Sequence, residues 1–567
     1  MGVAQVILTY MRRTTMRSKL LAVAIAAGLG VTSFHVVADP APAKSTSKTS
    51  TQSSQTAEIE ALKAQLQALQ AKVVELEQRT DAQSDINVST GQAVENVQKQ
   101  VAATDAQVKK SSDKLAYKGV NITLGGFLAA ESIYRQHNTG SDIASNYNTI
   151  PFKNVPQGHT SEFRLSARQS RVSLLAQGDV DPNTHLAGYI EADFLGGAQT
   201  ANQNESNSFN PRIRNVYMTA DWDTSGLHLL AGQNWSLLTL NSKGITPRTE
   251  LTPPQIDAQY VPGFTWARQP QIRLVKDWDK KYWLGISVEN PQTTFYLNGN
   301  QAKAPVPAIA AGGTIPATGP YSVYNIGAGS GYDSVNTLSL NHIPDVIVKF
   351  AADPGFGHYE VFGIGRSFYN RYNAQNHDTW GGGWGIGMVL PLIDKTLDWQ
   401  LSGMSGKGIG RYGSVQLPDV TFSPNGNLAP IKENMILSGL TWHANSDVDV
   451  YLFGGREQAS KKDFQAYNGG VVQLGYGNPA YNNSQCDIAG GANCVGNARE
   501  IWQGTAGFWW KFYQGKFGKM QFGAQYSYTK REAFSGQGLV NGVLVNGAAT
   551  PKATENMFFT SFRYYPF

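Results

Sequence analysis

Phe517-Gly-Lys-Met-Gln-Phe-Gly-Ala-Gln-Tyr-Ser-Tyr-Thr529 reads in steps of two. Met520, Phe522, Ala524, Tyr526 and Tyr528 make one apolar, aromatic set; Lys519, Gln521, Gly523, Gln525, Ser527 and Thr529 make a polar, small one. Only an extended strand sends successive side chains to opposite faces, so one face of this segment meets an apolar medium and the other a wet one. Ile501–Phe512 repeats the pattern with Trp502, Ala506, Phe508 and Trp510 on one face, and Lys281–Glu289 does so with Tyr282, Leu284, Ile286 and Val288.

Working outward, the same texture gives sixteen strands, at about 121–134, 162–178, 185–194, 212–221, 227–234, 267–276, 281–289, 345–351, 358–369, 379–391, 396–406, 433–443, 448–456, 499–512, 517–529 and 555–567. Their connections alternate in length. Short ones, such as Asp223-Thr-Ser-Gly226 and Ala352-Asp-Pro-Gly355, carry the Asp, Asn, Pro or Gly that tight turns need. Long ones lie between them at 135–161, 195–211, 235–266, 290–344, 370–378, 407–432, 457–498 and 530–554. A soluble sandwich has no reason to alternate in this way. A barrel in an outer membrane does, because its two rims face different compartments. In hydrocarbon every N–H and C=O must pair internally, so strands cross only as a closed cylinder. The expected fold is therefore an all-β transmembrane, 16-stranded antiparallel outer-membrane barrel over 119–567. Trp222, Trp278, Tyr282, Trp399, Trp442, Trp509 and Trp510 fall near strand ends, where amphipathic rings favour the membrane interface. The terminal Phe567 fits an outer-membrane assembly signal. Arg563 shares its parity with Tyr565 and Phe567 and would face lipid in a regular strand, unless Pro566 breaks the register.

Composition agrees. Of 567 residues only 16% are charged, while 59 are Gly, 24 Phe, 12 Trp and 25 Tyr. The formal charge of +5 is a leader effect: Arg12, Arg13, Arg17 and Lys19 stand before any acid, and removing them leaves 43 basic against 42 acidic residues. Nothing in that balance calls for nucleic acid.

Residues 1–38 read as a secretory signal. Arg12–Lys19 is the positive region, and Leu20–Val31 is an apolar run too short to span a bilayer. Val36-Val37-Ala38 places cleavage before Asp39. A flexible Pro/Ser/Thr/Lys-rich linker follows over 39–56. Over 57–118 a seven-residue repeat, with Ile59, Leu66 and Val73 at one position and Leu62, Leu69 and Leu76 at its partner, predicts an α-helical coiled coil. Its register continues through Val94, Val101 and Val108 to Leu115 across a polar middle section. Both chain ends would then be periplasmic.

A pore selects by width and by the charges in its narrowest part. Arg135 alternates with Leu128, Ala130 and Tyr134, Arg273 with Ile272 and Leu274, and Lys349 with Val348 and Phe350, which puts all three on the lumen side. Arg164, Arg168, Arg171 and Arg214, with Arg212, cluster in strands two and four. A lipid-facing Arg costs about 2–4 kcal/mol at midplane, so these too belong to the lumen or rim. Guanidinium engages both oxygens of a carboxylate, which suits an anion-selective ladder. The alternative is that they balance lumen acids such as Glu191, Asp193 and Glu289, or bind lipopolysaccharide phosphates. Phe163, Leu165 and Ala167 are odd whereas Val172, Leu174 and Ala176 are even, a conflict that a bulge near Arg168–Arg171 would resolve. Cys486 and Cys494, the only cysteines, would close a small disulfide loop in an oxidising compartment. A metal is not expected there, because no His shares the segment. The nine histidines are scattered, and no nucleophile–base set stands out, so neither an enzyme nor a cofactor is expected.

Leu124-Gly-Gly-Phe-Leu-Ala-Ala-Glu-Ser-Ile-Tyr-Arg135, Arg168-Gln-Ser-Arg-Val172, Ile213-Arg-Asn-Val-Tyr217, Ala231-Gly-Gln-Asn-Trp-Ser236 and Val288-Glu-Asn-Pro291 resemble the DcaP-like porins, as does a coiled coil before the barrel. The resemblance implies a homotrimeric porin taking up small anions, notably dicarboxylates. Resemblance to trimeric porins also implies that the 235–266 connection, with Lys243, Arg248, Glu250 and Asp257, folds inward as a constriction; the alternative is that it caps the barrel. The Ala/Pro/Gly-rich 301–320 stretch and the Cys486–Cys494 loop have no counterpart in that resemblance.

The expected function is passive diffusion of small organic anions across the outer membrane of a Gram-negative bacterium. Outer-membrane lipid and lipopolysaccharide would surround the barrel, with the coiled coil supporting trimerisation or reaching toward peptidoglycan. The rival readings are a sugar-selective pore and an anchor or adhesin that binds peptidoglycan or a surface.

Overall fold

The computed structural model describes residues 115–196, 210–296, 325–327, 337–372, 375–424, 426–467 and 471–567. The signal peptide, the linker, the coiled coil as far as residue 114 and the 301–320 stretch lie outside these. Leu115, the last position given to the heptad seam, is not helical. Leu115–Tyr117 is a short strand that folds back on Val120–Ile122. A seven-residue count runs on through any residue of suitable type, and here it overran the start of the barrel.

Sixteen strands form the barrel wall. They are β1 (Val120–Arg135), β2 (Glu162–Ser166 and Arg171–Asp181), β3 (Thr184–Gly196), β4 (Asn210–Trp222), β5 (Leu227–Trp235) and β6 (Arg268–Trp278). They continue as β7 (Tyr282–Glu289), β8 (Asp345–Ala352), β9 (His358–Tyr372), β10 (Gln375–Ile393) and β11 (Leu397–Lys407). The last are β12 (Lys432–His443), β13 (Val448–Ala459), β14 (Ala498–Gly515), β15 (Gly518–Ala533) and β16 (Lys552–Tyr565). Each pairs antiparallel with the next, and β16 closes on β1 from Leu128↔Tyr564 to Arg135↔Met557. No edge is left, as a membrane requires.

The period-two pattern becomes two surfaces. Leu128, Tyr134, Ile190, Met218, Ile272, Ile286, Leu452 and Phe562 are exposed on the outside, while Glu131, Arg135, Glu191, Arg273 and Gln525 are buried inside. Trp222, Trp278, Tyr282, Trp442 and Trp510 are exposed at the rim with the short turns. That is a lipid-facing belt with an aromatic girdle, the hallmark of an outer-membrane barrel. Trp509 departs from the girdle expected of it. Next to outward Trp510, it must face inward; it is fully buried and its indole N–H donates to the Pro254 carbonyl at 2.9 Å.

Two further expectations change. The 370–378 connection is mostly strand: β9 and β10 stay paired out to Tyr372↔Gln375. The ladder extends beyond the lipid belt, where Asn370, Arg371, His377 and Asp378 carry no apolar alternation to betray it. Arg563 faces inward, not lipid, and its guanidinium reaches Glu131 and Gln169. The strand ends at Tyr565, itself buried inside, and Phe567 stands outside beyond Pro566.

The parity conflict in β2 resolves as a bulge. Glu131 pairs with Ser166 and Phe127 with Arg171, so five steps on β2 match four on β1. The extra residue turns Phe163 and Leu165 outward on one side and Val172 outward on the other, leaving Arg171 inside. The Ser170 hydroxyl accepts from the Ala129 N–H and so replaces a lost ladder acceptor. Opposite it, Gly126 has φ 129°, and a Cβ there would run into the Arg171 carbonyl.

Candidate functional site: a loop-crossed lumen with an arginine cluster

The connection after β5 folds into the barrel. Its Leu237 N–H donates to Glu289 on β7 at 2.8 Å, Lys349 on β8 donates to the Thr239 carbonyl at 2.7 Å, and the Asn241 N–H donates to Glu360 on β9 at 3.0 Å. Farther along, Ile256 N–H reaches Gln525 on β15 at 2.6 Å and Gly263 N–H reaches Glu457 on β13 at 2.8 Å. The loop therefore crosses the lumen from the β7–β9 wall to the β13–β15 wall before it returns to β6. Its apolar residues Ile256, Val261 and Phe264 are buried with Tyr147 of the first loop (136–161) and with Val415 and Leu417 of the loop after β11. Asp257 binds the first loop: its carboxylate accepts from the N–H groups of Ser145 at 3.0 Å and Gln259 at 2.9 Å. Burial raises this carboxyl above its ordinary range, against the lowering charge of Arg135.

Most of the basic residues expected to line the pore are held by lumen acids or by inward loops. Arg135 is buried and donates to Glu162 at 3.1 Å and to the carbonyls of Ser141 and Asp142. Arg164 shares Glu162 at 3.1 Å, and Arg168, within the bulge, pairs with Asp142 at 2.9 Å. Lys349 pairs with Glu360 at 2.7 Å. Arg273 binds Gln271 and the Trp235 carbonyl and approaches Glu250 at 3.9 Å. Glu289 accepts from Leu237 N–H and from Gln269 and Ser287, so it seats the loop. Glu250 takes Asn234 and the Arg248 N–H, each at 2.8 Å. The Arg248 guanidinium meets the Tyr217 hydroxyl at 3.3 Å, and Lys243 is exposed. Cys486 and Cys494 are joined as a disulfide.

One region carries more cations than acids. Arg171 lies 3.7 Å from Glu191; Arg214 lies 2.6 Å from Glu191 and 2.9 Å from Asp193; Arg212 lies 2.7 Å from Asp193. A fourth guanidinium, Arg268, stacks on Trp235 with its carbon 4.8 Å from the ring centre and lies within charge range of Arg212, Arg214 and Asp193. Among the described residues four guanidiniums thus surround two carboxylates. Tyr260 of the inward loop lies within hydrogen-bond reach of Arg214 and within charge range of Arg171 and Arg268. A buried Nη of Arg214 and one of Arg268 have no hydrogen-bond acceptor within the described protein. Local folding makes this possible. A shift in the β3–β4 register beside Glu191 turns Arg214 and Asn215, adjacent in sequence, both inward. Arg268 was invisible to parity, since it shares that of lipid-facing Ile272 and Leu274; the strand ends curl inward there, burying neighbours Asn234 and Trp235 together.

No protein-family model matches the chain. No curated protein matches it either. Among solved structures, the outer membrane channel DcaP of Acinetobacter baumannii is similar at TM-score 0.51 and 15% identity, covering 79% of this chain and 99% of that one. An anion-selective porin from Comamonas acidovorans aligns at TM-score 0.41 and 13% identity over 79% and 99% of the two chains. Salmonella typhi OmpF, in complex with daunomycin, aligns at 0.41 and 9% over 80% and 99%. In fold, then, the chain resembles the DcaP channel: a 16-stranded outer-membrane barrel of the porin kind.

Proposed function

We propose that the protein is an outer-membrane porin that passes small solutes down their gradient and favours small organic anions, dicarboxylates among them. The observation that carries the anion preference is the surplus of guanidinium over carboxylate beside the inward loop: Arg171, Arg212, Arg214 and Arg268 against Glu191 and Asp193. The net positive field of that cluster would draw a passing carboxylate into the lumen. The barrel is supported as a conduit by its closed wall, and by the fold it shares with a protein described as an outer membrane channel. The long loops face the exterior and both termini the periplasm, with three copies assembled as a trimer.

The test is single-channel recording of the full-length protein in planar bilayers under a KCl gradient, with succinate and maltose as blockers. Openings in steps of three, a reversal potential on the anion side and block by succinate are expected. Silent insertions would sink the channel and favour an anchor; cation preference or block by maltose alone would sink the anion reading.

A further inference from the structure

A second cluster of polar groups stands apart from the arginine cluster, at the rim with the long loops. A cleft of about 480 Å³ opens there between the first loop, the disulfide loop and the end of β15, within the size range of small-molecule sites. Arg531 lines it. Its two terminal nitrogens donate to the carbonyls of Ile150 at 2.7 Å and Gly496 at 3.0 Å, and its carbon lies 4.5 Å over the Phe152 ring. Its Nε is buried with no acceptor, and no described carboxylate pairs with it. The neighbouring Glu532 faces the other side of the strand, where Arg499, Lys530 and Lys552 surround it. A half-buried cation held by carbonyls and a ring, with no described carboxylate beside it, is short of a counter-charge. Around it the cleft lining includes three amides, Asn138, Asn154 and Gln157, and two hydroxyls, Thr139 and Thr149, among the apolar Pro151, Phe152, Val155 and Val495. The Gln157 side chain is exposed and makes no hydrogen bond within the described protein.

One wall of the cleft is also cross-tied. Asn154 N–H donates to the Cys486 carbonyl at 3.0 Å, Gly490 N–H donates to the Asn154 carbonyl at 3.0 Å, and the Asn154 amide reaches Gly491 at 3.2 Å. The disulfide closes the strap that makes these contacts. A preformed wall spares a ligand the cost of ordering it.

We infer that this cleft is a binding site for a small hydroxylated carboxylate of sugar-acid type, held through its carboxylate on Arg531 and through its hydroxyls on the amides. The site rests on the proposed outward orientation of the long loops only for its role as a capture point ahead of the pore; binding itself does not depend on conduction.

Titration calorimetry on the purified full-length protein, with galacturonate, galactose and succinate as probes, tests it. Galacturonate is expected to bind about tenfold or more tighter than either of the others, a ratio worth about 1.4 kcal/mol. Arg531→Gln should bring galacturonate down to the level of galactose. Because Arg531 also ties two loops, Gln157→Glu serves as the independent variant: an exposed side chain without contacts cannot unfold the rim, yet its charge should weaken galacturonate severalfold and leave galactose unchanged. Equal binding of galactose and galacturonate, equal binding of succinate, or indifference of galacturonate to both substitutions would each overturn the site. Bilayer recording of the same preparations separates the two readings. Selective binding without channels would leave the site and remove the porin; anion-selective channels without binding would do the reverse.

Discussion

Arg214 and Arg268 sit in one cluster under opposite electrostatic conditions. Arg214 is buried and bridges two buried carboxylates, Glu191 and Asp193. Removing it leaves uncompensated charge in the wall, which costs about 3–5 kcal/mol where one partner of a buried pair is lost. Arg214→Ala is therefore expected to lower the thermal transition of the barrel markedly, read as the temperature at which its heat-modifiable band shifts on a gel. Arg268 pairs with no carboxylate among the described residues and rests on Trp235. Arg268→Gln strands no acid, so the barrel should melt within a few degrees of wild type while the anion-to-cation permeability ratio falls severalfold. A large loss of stability in Arg268→Gln with unchanged permeability would mean that the residue only packs. The inward direction of Arg135, Arg273 and Lys349 was legible from parity. Their engagement with Glu162, Gln271 and Glu360 was not, because an ion pair depends on which loops and strands meet across the lumen.

At the scale of the element, the β2 bulge joins two lipid-facing runs of opposite parity. Deleting Ala167 would leave four steps against four, a regular strand in which both apolar runs still face lipid and Arg164 and Arg171 still face inward, at the loss of the bulge's own bond from Ala129 N–H to Ser170. That variant should still give a heat-modifiable folded band, as should Ala167→Ser, which keeps the count; loss of the band in the deletion alone would show that the bulge itself is needed. The bulge could be read from sequence because lipid enforces a strict apolar parity on both sides of it. β10 was harder. Gly381, Gly385 and Gly387 occupy positions where the larger side chains of Phe368, Phe362 and Leu240 press in from neighbouring elements, and Gly383 lies against the Ser405 carbonyl. Runs of glycine have no hydrophobic pattern, and the strand above the belt is polar on both faces. The inward loop was unreadable in detail for a related reason: its apolar residues pack on other loops, so nothing local reports the partner. Gly263 tests how that loop is seated. It has φ 89°, and a Cβ would run into the Ile436 carbonyl of β12. Gly263→Val should loosen the loop from the wall and produce noisier openings of altered conductance without loss of the barrel; quiet wild-type openings would place the seating elsewhere.

For the whole molecule the question is what the first 114 residues contribute. The barrel closes without them: β1 pairs with β16 on one side and β2 on the other, and Leu115–Tyr117 folds back as a hairpin onto the start of β1. The crossing loop, the arginine cluster and the rim cleft all draw on residues after 135. A chain lacking residues 39–114 but retaining the signal peptide should therefore reach the membrane and conduct, with wild-type conductance per pore and the same reversal potential. If the heptad repeat supports trimerisation, its loss should show in assembly alone, as trimers that dissociate at lower temperature or detergent concentration and single openings in place of steps of three. Unchanged trimers would move the role of the repeat to another task, such as reaching peptidoglycan. A changed reversal potential would be more damaging: it would mean that charges outside the barrel set the selectivity assigned here to Arg171, Arg212, Arg214 and Arg268.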